Sequence, residues 1–205
     1  PSHEMTRKQN GLFQGLLNHF PDVPASIANS AAVMSSKDYH YHLVRPGIAM
    51  YGGRAINGRP NPMAPVIEMN VPILQIKDAR IGETVGYGAA YRLRRDTRIA
   101  IMALGYADGY FRGLSGIGGQ MGGRVAGNGT IVPVLGRVSM DMTAIDITDV
   151  PGLVQPGDPV EILGPTISID DVADAARTIG YEVLTTLNGR FPRNYVNVPE
   201  GVSLD

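Results

Sequence analysis

Five segments between residues 66 and 163 alternate apolar and polar side chains, and this pattern constrains the fold more than any other feature of the chain. They are Val66–Lys77, Thr97–Leu104, Thr130–Val138, Met142–Ile147 and Val160–Leu163. A two-residue period places neighbouring side chains on opposite faces of a strand, so each segment predicts a half-buried β-strand. Turn residues lie between them, including Asn128-Gly129, the dipeptide most typical of a tight hairpin. The pattern predicts an antiparallel β domain, a barrel or a sandwich.

One helix interrupts these predicted strands. Ser168–Asp171 has the spacing of a capping box, in which each residue's side chain satisfies the other's backbone N–H. An apolar face follows it, made by Val172, Ala175, Ala176 and Ile179, and Gly180 is the predicted C-cap. Residues 53–205, which begin with a glycine- and proline-rich linker over residues 53–64, are therefore predicted to form a β domain with one helix.

Residues 1–52 have a different pattern, in which helices and strands alternate. An amphipathic helix over residues 4–20 precedes a short strand, Ala25–Ala28, and a short helix that opens at Asn29-Ser30. A second strand, Tyr41–Arg45, is followed by a turn of helix after Pro46-Gly47. This order indicates parallel α/β architecture, yet two strands cannot cover a parallel sheet alone. Residues 1–52 are predicted to be one end of a larger α/β domain, and the chain is expected to start within a longer protein.

Composition excludes several classes of function. The chain has 18 Lys and Arg against 19 Asp and Glu, a net charge of −1, which gives no electrostatic reason to expect nucleic acid or an anionic membrane as a partner. It has no cysteine, so it has neither disulfides nor thiolate metal sites, and its four histidines lack metal-ligand spacing. No signal peptide and no apolar run of membrane-spanning length is visible. We expect a cytoplasmic protein without a metal site.

Three clusters at predicted strand ends combine glycines with side chains that can do chemistry. Val85–Ala89 places Tyr87 between two glycines, Gly105–Tyr110 contains Tyr106, and Gly136–Met142 contains arginine, methionine and aspartate. Glycine adds no side chain, so another molecule can approach closely at such places. Taken alone, Val85–Ala89 is more typical of a strand-end turn with a packed tyrosine, and each of the other two clusters could be an ordinary strand end that carries solvated charges.

Two further motifs follow the predicted parallel strands of residues 1–52. Asn29-Ser30 follows the first strand and Gly47-Ile48 the second. In (β/α)8 barrels, the loops after the last strands and a short helix N-terminus commonly hold a phosphate group. Ordinary helix caps would account for the same residues. Arg45 ends an apolar strand and cannot lose its charge, so it forms either a salt bridge or a ligand contact.

Taken together and in order, these motifs resemble those of bacterial alanine racemases. The matching stretches are Asn29–Ala31, Val44–Gly52, Val85–Ala89, Gly105–Gly109 and Gly136–Asp141, and the similarity extends to Arg190–Arg193. The resemblance implies a (β/α)8 barrel, incomplete in this chain, followed by the C-terminal β domain. It implies interconversion of L- and D-alanine, which supplies D-alanine for peptidoglycan. It also implies pyridoxal 5′-phosphate on a lysine Schiff base, and a homodimer with active sites shared between the subunits.

The resemblance also implies roles for residues of the barrel end. Ser30 and the backbone of Gly47 and Ile48 would bind the cofactor phosphate. Arg45 would face the pyridine nitrogen of the cofactor and, as a permanent cation, could not protonate it.

In the β domain, the resemblance makes Tyr87 the second catalytic base, which acts across the dimer on the face of the α-carbon opposite the lysine. The ordinary pKa of a phenol, about 10, must be lowered for this role, and nearby cations favour the phenolate. Met140 would offer its backbone N–H to the substrate carboxylate, and Tyr106 would line the same pocket. The residues that resemble the family's substrate entrance are Arg112, Arg137 and Asp141.

Two departures from the family pattern modify this interpretation. The only lysines are Lys8, Lys37 and Lys77, and none has the desolvated setting of a Schiff-base lysine. This chain alone is therefore predicted to be inactive. Gly189 stands where many relatives have a tyrosine that narrows the site. Two alternatives remain open: a racemase of broader specificity that acts on serine or lysine, and a non-catalytic β module that dimerises.

Overall fold

The computed structural model describes residues 4–197 of the 205-residue chain. Its helices are α1 (Glu4–Leu17), α2 (Ser30–Ser35), α3 (Gly47–Met50), α4 (Ile169–Ala176) and α5 (Gly180–Thr186). Its strands are β1 (Met69–Ala79), β2 (Thr84–Val85), β3 (Tyr91–Arg92), β4 (Thr97–Met102), β5 (Arg124–Gly127), β6 (Thr130–Leu135), β7 (Thr143–Asp146) and β8 (Pro159–Leu163). Helices at the start and an antiparallel β domain after them confirm the predicted fold class.

Six strands close into a barrel in the order β1-β4-β7-β6-β5-β8, and every pair is antiparallel. The long strand β1 closes it, because its C-terminal part pairs with β4 and its N-terminal part pairs with β8. A register shift between Ile73 and Gln75 lies near the change of partner. Such an irregularity bends a strand and increases its twist, as closure of a small barrel requires. Strands β2 and β3 form a separate two-stranded hairpin.

The barrel interior is filled by apolar side chains of the predicted strands and of β5, a strand that the alternating pattern did not predict. Val125, Val134, Ile145 and Val160 are completely buried and belong to one core cluster. The predicted hairpin at Asn128-Gly129 joins β5 to β6, and both residues have positive φ, +46° and +73°. A two-residue turn with both φ values positive matches the right-handed twist of the flanking strands, which is why this dipeptide predicts it.

The helical part of the β domain differs from the prediction of one helix. The capping box is confirmed, since the Ser168 hydroxyl accepts from the Asp171 N–H and the Asp171 carboxylate accepts from the Ser168 N–H. However, Arg177, with φ of +59°, is the C-cap of α4, and Gly180 begins a second helix, α5. A Cβ atom on Gly180 would stand 3.4 Å from the Ile48 side chain. Gly180 therefore begins a helix that lies against the Ile48 side chain, instead of ending α4.

Residues 4–52 contain the predicted helices, but the two predicted strands do not form a ladder. Only one parallel bridge joins them, between Asn29 and Arg45. Its direction agrees with the predicted parallel arrangement. Strands 25–28 and 41–45 have no further neighbouring strand within residues 4–197, and a strand without neighbours on both sides cannot continue a parallel sheet.

The end of this region is attached to helix α4. The backbone N–H of Arg54 donates to the Asp170 carboxylate, and the Arg54 guanidinium forms a 2.8 Å ion pair with Asp174. The amide nitrogen of Asn61 donates to Asp170 as well. The acidic first turn of α4 therefore binds the predicted linker to the β domain.

Candidate functional site

The segment Gly136–Asp141, here called the central segment, joins β6 to β7 and contacts the other predicted motifs of the β domain. A Cβ atom on Gly136 would stand 2.7 Å from the carbonyl oxygen of Val85, and a Cβ on Gly86 would stand 2.7 Å from the Arg137 nitrogen. Both glycines have positive φ, +69° and +82°. Contacts this short leave no room for a side chain on either residue. The two glycines therefore bring Tyr87 beside the central segment.

The loop after β4 packs against the other end of the central segment. The N–H of Tyr106 donates to the Ser139 carbonyl at 2.9 Å, and the N–H of Ala107 donates to the Met140 carbonyl at 2.9 Å. A Cβ atom on Gly105 would stand 2.2 Å from the Met140 carbonyl oxygen. The two backbones are therefore in direct contact, and this contact places Tyr106 next to Met140.

Backbone packing of this kind leaves the side chains of the three motifs exposed. Tyr87 is 74% exposed, Met140 54% and Tyr106 45%. Within residues 4–197 the N–H of Met140 has no hydrogen-bond acceptor, while the neighbouring Ser139 and Ala107 N–H groups are both paired. Large side chains exposed on adjoining backbone segments are typical of a face that another molecule covers, and the Met140 N–H there is available as a donor.

A chain segment after α5 adds charges to this face. The Arg190 guanidinium forms ion pairs with Asp108 at 2.9 Å and with Asp141 at 3.1 Å. The Asn188 amide donates to the Ala107 carbonyl at 2.7 Å, and a Cβ on Gly109 would stand 2.0 Å from the Thr186 carbonyl oxygen. Sequence reasoning identified Asp141 but assigned no role to Arg190, because its two acidic partners are distant from it along the chain.

The predicted entrance residues lie on two elements. Arg137 and Asp141 belong to the central segment, and Arg112 begins a 3₁₀ turn, Arg112–Leu114. The Nε atom of Arg137 is buried and has no hydrogen-bond partner within residues 4–197. The 3₁₀ turn is connected to the central segment through Ser115, whose hydroxyl accepts from the Val138 N–H at 3.0 Å. The structure therefore connects the turn that carries Arg112 to the central segment that carries Arg137 and Asp141.

The predicted phosphate-binding residues form a second group, at the start of α3. Ser30 is buried, and its hydroxyl accepts from the Ala49 N–H at 3.3 Å. The N–H of Gly47 donates to the Arg45 carbonyl at 3.0 Å, and a Cβ atom on Gly47 would meet nothing within 4 Å. The N–H groups of a first helical turn have no acceptor within the helix. Of these N–H groups, that of Gly47 is occupied by the Arg45 carbonyl, and that of Ile48 has no acceptor within residues 4–197 and could bind an oxyanion.

Arg45 joins this second group without an acidic partner. Its guanidinium donates to the Ser26 hydroxyl at 2.6 Å and, more weakly, to the Ile27 carbonyl at 3.4 Å. A guanidinium has five N–H donors, so these two contacts leave donors available. The salt bridge that sequence reasoning left open is not formed among the described residues.

The two groups are not joined to each other within one chain. In the part of the chain that the structure describes, no hydrogen bond or ion pair connects Ser30, Arg45 or the start of α3 with Tyr87 or the central segment. The same residues contain no group of three or more potential metal ligands and no helix long and apolar enough to cross a membrane.

Two family models match the chain. The model described as alanine racemase, C-terminal domain, matches residues 66–195, and the model described as alanine racemase, N-terminal domain, matches residues 1–55. The first match includes Tyr87, Tyr106 and the central segment, and the second includes Ser30, Arg45 and the start of α3.

Curated relatives and solved structures agree with these matches. The chain is 45% identical to the biosynthetic alanine racemase of Agrobacterium fabrum over 203 residues, covering 96% of this chain and 52% of the relative. It is 46% identical to an alanine racemase of Rhizobium meliloti, covering 96% and 54%. An alanine racemase from Bartonella henselae with covalently bound pyridoxal phosphate superposes with a TM-score of 0.85 at 36% identity, covering 95% of this chain and 53% of that one. The chain therefore spans about half the length of the relatives it matches.

Proposed function

The chain belongs to the alanine racemase family, and on that basis we propose that it is the C-terminal portion of an enzyme that interconverts L- and D-alanine. The observation that carries the proposal is the cluster of Tyr87, Tyr106 and the unpaired Met140 N–H around one glycine-packed segment. Exposed tyrosine and methionine side chains add nothing to a hydrophobic core. Their position on closely packed, glycine-rich backbone is better explained by a binding or catalytic role.

Racemisation requires a proton to leave one face of the α-carbon and to return on the other face, which two opposed bases can achieve. In the proposal, the Tyr87 phenolate accepts or returns the proton on one face. The Met140 N–H donates to the substrate carboxylate, and Tyr106 lines the pocket beside it. Arg112, Arg137 and Asp141 form the substrate entrance, with Arg190 holding the Asp141 carboxylate.

The residues present fit pyridoxal 5′-phosphate. The buried Ser30 hydroxyl, at the first residue of α2, and the backbone of Gly47 and Ile48 would hold its phosphate. The Gly47 N–H would exchange its present acceptor, the Arg45 carbonyl, for a phosphate oxygen, and the free donors of the Arg45 guanidinium would face the ring nitrogen. When bound, this cofactor supplies the electron withdrawal that acidifies the α-proton of an amino acid. The family relationship and the pyridoxal phosphate in the Bartonella henselae relative support this assignment.

We assign the lysine that bears the cofactor to a part of the protein outside this chain. Lys8 lies on α1, Lys37 in a 3₁₀ turn and Lys77 on β1, and all three are exposed. A lysine that reacts with a carbonyl group near neutral pH needs a desolvated or cationic setting that lowers its pKa. In the proposal this chain alone is inactive.

The separation of the two residue groups supports a shared active site. Ser30 and Arg45 would hold the cofactor of one subunit, and Tyr87 of a second subunit would act on it, so the enzyme would work as a homodimer. We place this reaction in the cytoplasm, where its D-alanine would be used for peptidoglycan.

A broader amino-acid racemase is the second candidate, and Gly189 favours it. A Cβ atom on Gly189 would meet nothing within 4 Å, so this position leaves open space where many family members carry a tyrosine. The space would admit side chains longer than a methyl group, such as those of serine or lysine. A non-catalytic β module that dimerises would not need the unpaired Met140 N–H or the Tyr87 phenol.

The test is Tyr87→Phe in the complete polypeptide that contains this chain. We expect racemisation to fall about 10²–10⁴-fold, the usual contribution of a general base, while the absorbance of the bound cofactor is unchanged. Tyr181→Phe, at an exposed position on α5, is the matched control. Unchanged racemisation in Tyr87→Phe would remove Tyr87 from the reaction, and racemisation of serine faster than alanine would favour the second candidate.

A further inference from the structure

The segment Ser115–Gly123, here called the glycine-rich loop, connects the 3₁₀ turn Arg112–Leu114 to β5 and has no role in the function proposed above. Five of its nine residues are glycine: Gly116, Gly118, Gly119, Gly122 and Gly123. A mobile surface loop would also be rich in glycine, so the contacts of its backbone decide which interpretation holds.

One contact joins the glycine-rich loop to the start of the central segment. The N–H of Gly116 donates to the Gly136 carbonyl at 2.8 Å. A Cβ atom on Gly116 would stand 2.6 Å from the Val134 carbonyl oxygen, so only glycine allows this approach. Gly136 is the residue that packs against Val85 and Gly86 on its other side. The loop, the central segment and the Tyr87 turn therefore form three layers of backbone.

A second contact joins the glycine-rich loop directly to the Tyr87 turn. The N–H of Gly118 donates to the Ala90 carbonyl at 2.9 Å, and Ala90 is the C-cap of the 3₁₀ turn that begins at Tyr87. Gly118 and Gly119 have φ of +63° and +81°, a conformation that other residues adopt only with strain. Gly118 and Gly119 therefore form an ordered turn, and the Gly118 N–H donates to the turn that begins at Tyr87.

A third contact uses the only hydroxyl of the glycine-rich loop. The Ser115 hydroxyl donates to the Arg112 carbonyl at 2.6 Å and accepts from the Val138 N–H at 3.0 Å. Val138 is buried and lies two residues before Met140. This side chain therefore bridges the turn that carries Arg112 and the part of the central segment that leads to Met140.

We propose that the glycine-rich loop sets the position of Tyr87 relative to Met140, and that Ser115 is a positioning residue for the proton transfer. The inference rests on the proposed function. Its physical basis is that a base and the group that orients its substrate must be held in near-attack geometry, where a displacement of about 1 Å costs about 10²-fold in rate. The loop holds the Tyr87 turn through the backbone hydrogen bond from Gly118 to Ala90, and it holds the segment that leads to Met140 through the Ser115 hydroxyl.

The first test compares Ser115→Ala with Ser115→Thr, which keeps the hydroxyl, by amide hydrogen exchange in the 205-residue chain. In the alanine variant we expect exchange of the Val138 N–H to rise about tenfold, the factor that corresponds to one lost hydrogen bond. We also expect several-fold faster exchange at Ala89, in the Tyr87 turn, and at Ala107, which donates to Met140. The threonine variant should restore all three rates, and Ile145 in the barrel core should be unaffected in both.

Two outcomes of this test overturn the proposal. Faster exchange at Val138 alone would show that the hydroxyl acts only on its own partner. Equal acceleration at Ile145 would show general loosening of the barrel instead of positioning.

The second test uses the complete polypeptide and separates this inference from the proposed function. We expect Ser115→Ala to lower kcat about tenfold with KM changed less than about twofold, and Ser115→Thr to restore kcat. If the unsubstituted enzyme racemises alanine and Ser115→Ala does so equally fast, the positioning role fails and the proposed function stands. If the unsubstituted enzyme does not racemise alanine, the proposed function fails, and with it the role of Ser115 in proton transfer.

Discussion

Glycines decide how close the motifs of the candidate site come to one another. Gly86 and Gly88 were of interest in the sequence because they flank Tyr87 without side chains of their own. The structure shows that glycine is required at the two positions for different reasons. Gly88 has φ of +69° with nothing within 4 Å of its absent Cβ, so it serves backbone conformation alone. Gly86 serves contact as well, because a side chain would collide with Arg137. Sequence could predict special backbone at both positions, but the partner of Gly86 is distant along the chain and required the structure.

Tyr110 carries a buried polar atom that the fold leaves without a hydrogen bond. Its hydroxyl is buried and has no hydrogen-bond partner within residues 4–197, and burial raises the pKa of the phenol. An unsatisfied buried hydroxyl costs about 1–3 kcal/mol. We therefore expect Tyr110→Phe to raise the free energy of unfolding by about 1 kcal/mol and Tm by about 2–4 °C at pH 7, measured by thermal denaturation.

The same substitution has a predicted pH dependence. Because the pKa of Tyr110 is higher in the folded protein than in the unfolded chain, unfolding releases a proton above pH of about 10, and the wild-type protein loses stability there as pH rises. Tyr110→Phe lacks this titration and should lose less. Tyr195→Phe, at an exposed position, is the control. A lower Tm for Tyr110→Phe at pH 7 would show that the hydroxyl does have a partner.

At the scale of the elements, prediction succeeded where the pattern is local. Five of the six barrel strands were predicted from alternation along their own sequences, and α4 was predictable because its capping box lies within four residues. The strand β5, Arg124–Gly127, was missed because it is short and three of its four residues are buried in succession. Helix α5 was missed because it has no capping side chain and begins with a glycine. The predicted strands 25–28 and 41–45 lie side by side and form only one parallel bridge, because a parallel ladder depends on neighbouring strands that these residues do not supply.

The capping box Ser168–Asp171 stabilises the N-terminus of α4. Ser168→Ala removes the hydroxyl that accepts from the Asp171 N–H, and we expect it to lower the free energy of unfolding by about 1 kcal/mol and Tm by about 2–4 °C. Thr185→Ala is the control, because that exposed hydroxyl only donates to a carbonyl within α5. Equal losses in the two variants would mean that the cap adds nothing beyond an ordinary surface hydrogen bond.

At the scale of the whole molecule, α1 is the longest described helix and its side chains are poorly covered. It has no buried residue, and Leu12 and Leu16 are more than half exposed. Its described attachment to the rest of the chain includes an edge-on contact between the Phe13 and Tyr41 rings and a hydrogen bond from the Tyr41 hydroxyl to Asn10. A helix without buried side chains opens at low free energy.

Limited proteolysis tests whether the N-terminal helical region opens more readily than the barrel. We expect trypsin to cut the 205-residue chain after Lys8 and Lys37 at least about tenfold faster than after Arg98, which lies on β4 inside the closed barrel. Fragment masses over time measure the order of cleavage. Cleavage at Arg98 as early as at Lys8 would contradict the assignment of the barrel as the stable unit.

The closure of the barrel through β1 has a consequence for the order of folding during synthesis. Met69 of β1 pairs with Leu163 of β8, so the first barrel strand made waits for the last. Until then β1 and β5 present unpaired strand edges, which are templates for pairing with other chains. Residue 163 must therefore emerge from the ribosome before the barrel can close. Contacts between residues this far apart in sequence also make folding slow. The unpaired edges of β1 and β5 are therefore exposed to aggregation until β8 is made and the barrel closes.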